Sequence, residues 1–244
     1  MVIQINNLEV NDPPVPASTV MVLRDGVKGL EVLMIQRHHN SDVLGRRETL
    51  EESGLLIGHS VTSEQLKKAR ANLSEGLGFA ATLQGLGLPL LTQGLAPWSR
   101  WITPRMPSVM NKRFDTRFFI AKAPSAQLAM HDNFEATESV WLQPRQGLID
   151  YWEGRIGLAP PQIMSLSQLA RFESVAAVFA FAEKHPPVTT QPEPFDDQGV
   201  RVICYPGDPR HSNPVAGFPG PTRLRFVNKR FEPEGGLSDL LPTN

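Results

Sequence analysis

The run Arg47-Glu48-Thr49-Leu50-Glu51-Glu52-Ser53-Gly54-Leu55 constrains this chain most, because it puts three carboxylates on one face of one helical turn. Glu48, Glu51 and Glu52 follow at i, i+3 and i+4, a spacing that gathers side chains on a helix and disperses them on a strand. Three adjacent negative charges repel and raise one another's pKa unless a cation neutralises them. An oxygen-only ligand set suits a hard divalent ion, Mg²⁺ or Mn²⁺, which keeps several waters and also binds phosphate oxygens. Gly54 permits a left-handed helix cap, after which Leu55-Leu56-Ile57 leads back into apolar structure. Without an ion, the same residues would form a solvated acidic helix face.

The surrounding pattern favours the ion site. Ala17 to Arg24 and Glu31 to Arg37 read as two strands joined by a turn at Asp25-Gly26. The acidic run itself resembles the second half of the Nudix box, Arg-Glu-x-x-Glu-Glu-x-Gly followed by an apolar residue. Five specified residues at ~6% usage each recur by chance about once in several thousand chains of this length. Further on, Trp101-Ile-Thr-Pro104 followed by Arg113-Phe-Asp-Thr-Arg-Phe-Phe119 resembles the coenzyme A diphosphatase branch of the Nudix family. Together these features cover residues 17–170. The resemblance implies an α/β fold: a Nudix-type α/β/α sandwich with a mixed sheet, followed by a C-terminal helical and β-hairpin extension.

The first half of the box departs from the family pattern. Counting back from Arg47, Leu33 and His39 stand where the full pattern has a Gly and a Glu. Only His38 to Arg46 separates the second strand from the acidic helix, with Gly45 the sole glycine. That segment spans at most about 30 Å when extended. It can join strand to helix but cannot also supply the glycine-rich loop of the family.

Beyond the box, Ser63 to Leu73 reads as a helix with Ser63 as N-cap and Leu66, Ala69 and Leu73 on its apolar stripe. Leu77 to Ala96 is rich in Gly and Leu, consistent with one short helix plus connections. Trp98 to Pro104 reads as a loop. Lys112 to Ala121 reads as a strand with Phe114, Thr116, Phe118 and Ile120 on one face. Ser139 to Leu142 is a further strand, and a proline-led helix follows from Pro144 to Trp152. Helical periodicity returns at Ser165 to Phe172 and Ser174 to His185, and two strands at Val200 to Tyr205 and Thr222 to Asn228. Pro206-Gly-Asp-Pro-Arg-His211 between them reads as a turn. The expected organisation is an irregular lead-in at 1–16, a Nudix domain at 17–185 with a helical insertion at 60–97, and a proline-rich linker with a β-hairpin tail at 186–244.

Composition narrows the partners. A formal net charge of −1 argues against nucleic acid or an anionic membrane as the main partner, and no apolar run approaches a membrane span. The single cysteine, Cys204, excludes an intramolecular disulfide and suits a reducing compartment, so the cytoplasm is the expected location. A small diphosphate is the expected partner, and a homodimer is compatible with this reading.

The resemblance assigns roles residue by residue. Glu48, Glu51 and Glu52 would hold Mg²⁺ or Mn²⁺, and Glu52 or Glu135 would serve as the base. Glu135 and Glu138 lie in a second acidic cluster after His131-Asp132. Arg47, Arg100 and Arg117 would grip the substrate, since guanidinium groups match phosphate oxygens two-pronged. Arg100, Lys112, Arg113 and Arg117 admit a plainer role as ion-pair or strand-edge charges. Trp98 and Trp101 are candidates for stacking on a base or for core packing. The implied activity is hydrolysis of the diphosphate in coenzyme A, an acyl-coenzyme A or a related nucleoside diphosphate derivative. The departures at Leu33 and His39 suit an alternative, a catalytically defective Nudix fold that binds a nucleotide-like ligand or a protein.

Replacing Glu51 and Glu52 together with Gln removes the charge that would hold the ion while keeping helix propensity nearly constant. Titration calorimetry with Mn²⁺ is expected to show affinity falling by about tenfold or more. Unchanged affinity would remove these residues from any metal site.

Overall fold

The computed structural model describes residues 9–37, 46–91, 94–106, 112–125, 127 and 136–241. The chain opens with two antiparallel strands, β1 (Val15–Gly26) and β2 (Gly29–Arg37), whose register closes at Gly26↔Gly29. Gly29 takes φ 109°, a conformation that a side chain would oppose, which is why the tight turn falls there. The acidic run forms α1 (Arg46–Ser53), followed by α2 (Ser63–Ser74) and α3 (Phe79–Gly85). Next come β3 (Leu95–Ile102), β4 (Phe114–Lys122) and β5 (Ala136–Leu142), then α4 (Pro144–Trp152), α5 (Pro160–Leu169) and α6 (Val175–Lys184).

The strand β6 (Val188–Thr190) completes a six-stranded mixed sheet in the order β5-β2-β1-β4-β3-β6. Its centre is the parallel pair β1–β4, in register from Val15↔Phe114 to Leu23↔Lys122. The expected alternation on β4 holds, since Phe114, Thr116, Phe118 and Ile120 are all buried. One face of the sheet presents Met21, Leu23, Val32, Phe118 and Ile120 to a core shared with α4, α5 and α6. The other presents Val20, Val22, Leu33, Phe119, Ala121 and Trp141 to Leu55 and Ile57, the residues that leave α1. Leu56, between them, turns the opposite way and joins Leu50, Ala69, Leu73 and Leu83, which binds α1 to α2 and α3. Burying each of these aliphatic side chains contributes about 1.5–3 kcal/mol.

Three local expectations are revised. Residues Trp98 to Ile102 form part of β3 instead of a loop. The pairing of β3 with β4 shifts register between Pro97 and Ser99, and this bulge lets both Trp98 and Trp101 point into the main core, breaking the alternation by which a strand is read. The N-cap of α2 is Thr62, not Ser63: its hydroxyl accepts from the Gln65 amide while the Gln65 side chain accepts from the Thr62 amide. The helix expected from Ser165 begins at Pro160, since proline suits the first turn where no amide partner is needed.

The C-terminal region is larger than a hairpin. β7 (Glu193–Asp197), β8 (Val200–Cys204), β9 (Arg223–Val227) and β10 (Arg230–Glu232) form a second antiparallel sheet, followed by α7 (Leu237–Leu240). Ile203, Tyr205, Leu224, Phe231 and Leu240 belong to the main core. Trp101 meets the Tyr205 ring edge-on at 5.6 Å and stacks on Phe218 at 6.0 Å. The Tyr151 hydroxyl donates to the Phe231 carbonyl at 3.0 Å and accepts from the Phe231 amide at 2.9 Å, so α4 and β10 are joined by a reciprocal buried bridge. Burial pushes the Tyr151 phenol up to about 12.

The turn after β8 is held by charge. Asp208, buried, accepts from Arg223 at 2.6 and 2.8 Å, from the Arg210 amide at 2.9 Å and from Thr222 at 3.2 Å. Burial alone would raise its carboxyl, but the Arg223 guanidinium and these hydrogen bonds outweigh it and hold the pKa below the usual carboxylate range. A carboxylate depressed on folding contributes stability that is complete above its ordinary pKa of 3.8 and is lost as pH falls through the lower folded value. Asp208→Asn is therefore expected to cost about 3 kcal/mol at pH 7, with the gap from the parent closing below pH 3.8. Urea denaturation of both proteins at pH 7 and in acid checks the magnitude and the sign.

Candidate active site

The helix α1 ends as its sequence dictates. Gly54 adopts φ 68° and its amide donates to the Leu50 carbonyl at 3.0 Å, while the Ser53 hydroxyl donates back to the Thr49 carbonyl. Leu50 is fully buried under the helix and Glu51 is half-buried. The backbone of α1 also carries Arg47, Glu48 and Glu52, whose side chains lie outside the described residues, as do His39 and Glu135. The backbone of Glu138 lies on β5, in register with Gln36 of β2. Among the described residues no group of three His, Cys, Asp or Glu side chains stands close enough to hold a metal ion, and Glu51 is the one glutamate of the trio included. The donor chemistry of α1, three carboxylates within five residues, fits a hard divalent cation.

Across the same face of the sheet lies a set of charges. Arg100 on β3 and Arg117 on β4 are directly opposite each other in register, an arrangement of like charges that is unfavourable without a counterion. Asp115 supplies one. Arg100 Nε and Nη2 donate to its two carboxylate oxygens at 2.7 and 2.6 Å, a two-pronged pair. These hydrogen bonds hold the Asp115 carboxyl below the usual carboxylate range against partial burial, helped by the charges of Arg100 and Arg117. Arg100, expected on the substrate, is thus engaged within the sheet. One carboxylate facing two guanidinium groups leaves a net positive charge, and Arg117, exposed, is its accessible end. Arg117 shares its face with Phe119 and Ala121, which pack in the cluster containing Leu55 and Ile57. A dianionic ligand held by α1 through a cation would therefore have a guanidinium on the same side of the sheet.

Several other candidates are engaged within the fold. Arg113 is buried and donates to the carbonyls of Thr103 and Asp12 at 3.1 and 3.2 Å. Trp98 and Trp101 lie in the main core, on the far face of the sheet from α1. His211 bonds to the Gln191 carbonyl at 3.0 Å and Arg210 stacks over Phe195 at 3.8 Å, so both tie the turn to the segment around β7. Cys204 is buried, with its thiol pushed up to about 11 by burial, and is unsuited to act as a nucleophile.

Two residues at the site escaped the sequence reading. Asp115 was legible in principle, since strand alternation already puts it beside Arg117. Gln127 was not. Its buried carboxamide accepts from the Leu56 amide at 2.8 Å and donates to the carbonyls of Leu56 and His59 at 3.3 and 2.9 Å. These contacts cross about 70 residues of chain, and no local pattern announces them.

Comparison with known proteins bears on the fold. The NUDT19 Nudix domain family matches residues 11–169. The acyl-coenzyme A diphosphatase NUDT19 of Xenopus laevis is 30% identical over 196 residues, 67% of this chain and 50% of that protein. The putative nudix hydrolase 7 of Caenorhabditis elegans is 23% identical over 167 residues, 66% of this chain and 55% of that one. The chain thus spans about half the length of the curated relatives it matches. The crystal structure of a NUDIX hydrolase from Alicyclobacillus acidocaldarius superposes with a TM-score of 0.58 over 70% of this chain and 97% of that one, at 22% identity, a likeness of fold.

If Arg117 grips an anion two-pronged, Arg117→Lys keeps the charge but loses the fork. Binding of pyrophosphate in the presence of Mn²⁺ is expected to weaken about tenfold, the loss of one charge-assisted hydrogen bond, with the denaturation midpoint unchanged. Equal affinity would leave Arg117 a strand-edge charge.

Proposed function

The chain belongs to the NUDT19 Nudix domain family, and on that premise we propose that it hydrolyses the diphosphate bond of coenzyme A, an acyl-coenzyme A or a related nucleoside diphosphate derivative, using Mg²⁺ or Mn²⁺. One observation carries the reading: the helix bearing Glu48, Glu51 and Glu52 leaves through a left-handed Gly54 cap onto the sheet face that also presents the exposed guanidinium of Arg117. Glu48, Glu51 and Glu52 are the residues that would hold the ion. When bound, such an ion neutralises diphosphate charge and polarises the phosphorus centre. Arg117 binds a non-bridging oxygen and orients the chain of phosphates. Arg47 on the same helix is assigned to the substrate as well.

A carboxylate accepts the proton of the attacking water, whose oxygen bonds to phosphorus as the bridging P–O bond breaks. Glu52 and Glu135 are the candidates for that base. Cleavage of coenzyme A would release adenosine 3′,5′-bisphosphate and a phosphopantetheine. The lone, buried Cys204 suits a reducing compartment, and we assign the cytoplasm. No helix among the described residues is long and apolar enough to cross a membrane.

One observation favours a second reading. Leu33, where the full box has a glycine, lies in β2 in register with Trp141 and packs in the cluster against the sheet. A side chain built into the sheet cannot stand in for a loop glycine. A Nudix fold lacking that loop, retaining ligand binding without turnover, is the alternative.

Incubation with Mn²⁺ and a panel of coenzyme A, an acyl-coenzyme A, NADH, a diadenosine polyphosphate and ADP-ribose separates these readings. Release of adenosine 3′,5′-bisphosphate from the first two, faster than hydrolysis of the others, is the expected result. Acyl length should matter little, since recognition centres on the phosphates. Turnover of ADP-ribose or dinucleotides alone would overturn the substrate assignment and leave the chemistry standing. Binding without any turnover would establish the second reading.

A further inference from the structure

Gln127 is a polar side chain buried at 9% exposure, and all three of its hydrogen bonds reach the segment that leaves α1. It stands in a turn anchored on the sheet: its own amide donates to the Pro124 carbonyl at 3.3 Å, and the Ala123 amide to the Leu23 carbonyl of β1 at 2.7 Å. From this post the carboxamide pairs with both backbone groups of Leu56, as a neighbouring strand would, and spends its second N–H on His59. An amide is the side chain suited to this, because it alone offers one acceptor and two donors in a plane. A Glu would face the two carbonyls with no hydrogen to give, and an Asn is one methylene short.

Among the described residues the segment it holds has no strand partner. Leu55 and Ile57 pack on the sheet while Leu56 packs on α2 and α3, so side chains fix which way each residue points. They do not fix the sliding of the segment along the sheet, since apolar contacts are non-directional. Gln127 gives this segment three directional bonds. Through the Gly54-to-Leu50 bond, the position of Leu56 is passed to the last turn of α1, where Glu51 lies.

We propose that Gln127 is a positioning residue, one that locks the exit of α1 to the exit of β4 and thereby sets the glutamate helix against the face carrying Arg117. The kinetic half of this inference rests on the hydrolase reading above. The mechanical half does not.

The test uses the whole chain with Gln127→Ala, Gln127→Glu and the gentler Gln127→Asn. A comparison variant, Tyr151→Phe, loses buried hydrogen bonds on the opposite face. Hydrogen exchange is read across residues 46–59, Mn²⁺ affinity by calorimetry, and kcat and KM on the substrate that the parent turns over. Gln127→Ala should speed exchange of the Leu56 amide and the last turn of α1 on the order of tenfold or more, with β1 and α5 unchanged. Mn²⁺ should bind more weakly, and kcat should fall on the order of tenfold with KM little altered, as misplacement of reacting groups does. Gln127→Glu should not rescue, Gln127→Asn should fall between, and Tyr151→Phe should leave kcat per folded molecule at the parent value.

Unchanged exchange in α1 would overturn the inference. So would faster exchange with parental kcat and Mn²⁺ affinity, or a kcat loss that Tyr151→Phe matches at equal stability. A parent protein without any turnover would fail the hydrolase reading alone, and exchange together with Mn²⁺ affinity would then decide Gln127. Should Gln127→Ala not fold, Gln127→Asn carries the same readouts.

Discussion

The parallel pairing of β1 with β4 is the constraint on which the rest of this structure depends. Two parallel neighbours cannot be joined by a tight turn, so β2, α1, α2, α3 and β3 all lie in the crossover between them. Because strand side chains alternate with a period of two, the register from Val15↔Phe114 onward also decides which residues share a face. Val20, Phe119 and Ala121 meet the residues leaving α1, while Met21, Phe118 and Ile120 meet α4 to α6. A slip of one residue would exchange the two sets and carry Arg117 to the main core. The buried face of β4 prevents it.

Electrostatics then distinguishes the two faces. The main core face admits aromatic rings, and there the Tyr151 hydroxyl is satisfied at Phe231 while the buried Tyr205 hydroxyl has no partner among the described residues. Among the described residues, the sheet face toward α1 carries the Arg24–Glu31 pair beside Trp141 and the Arg100–Asp115 pair beside the exposed Arg117, while the sequence of α1 carries three glutamates. Arg100 and Asp115 nearly neutralise one another, so the proposed binding of a cation and a polyanion rests on the exposed Arg117 and on the glutamates of the α1 sequence. A cation followed by a polyanion satisfies both. Either centre alone would be an ordinary surface charge.

The departure from the full Nudix box has a structural counterpart at Leu33. β2 continues through it, pairing with β5 from Val32↔Leu142, and the strand needs an apolar side chain there to cover Trp141 and Leu55. Loop and strand are competing uses of the same residues. Family membership therefore stands on the second half of the box, on the sheet and on the match over residues 11–169, while the activity hangs on whether α1 alone can organise the ion.

Local patterns were enough to read the elements whose signals are local. The 3.6-residue spacing of the glutamates and the glycine after them determined α1 and its cap. Alternation determined β4, and a leading proline determined α4. Where a residue's fate depends on a partner far along the chain, the sequence was silent. Trp98 and Trp101 could be read as loop residues because a bulge, set by pairing with β4, breaks their alternation. Arg100 could be read as a ligand for substrate until cross-strand register put Asp115 within reach. Residues 186–244 resemble a linker and hairpin in sequence because short strands bury little until Tyr151, Trp101 and α5 provide a surface. Gln127 carries no pattern at all. A single amide in the sequence Ala-Pro-Ser-Ala-Gln-Leu-Ala has no period, and its three bonds exist only because the fold brings the ends of α1 and β4 together. Periodicity is a property of neighbours in the chain, whereas the pairing of buried polar groups is a property of neighbours in space, and that is why the helix was legible and its anchorage was not.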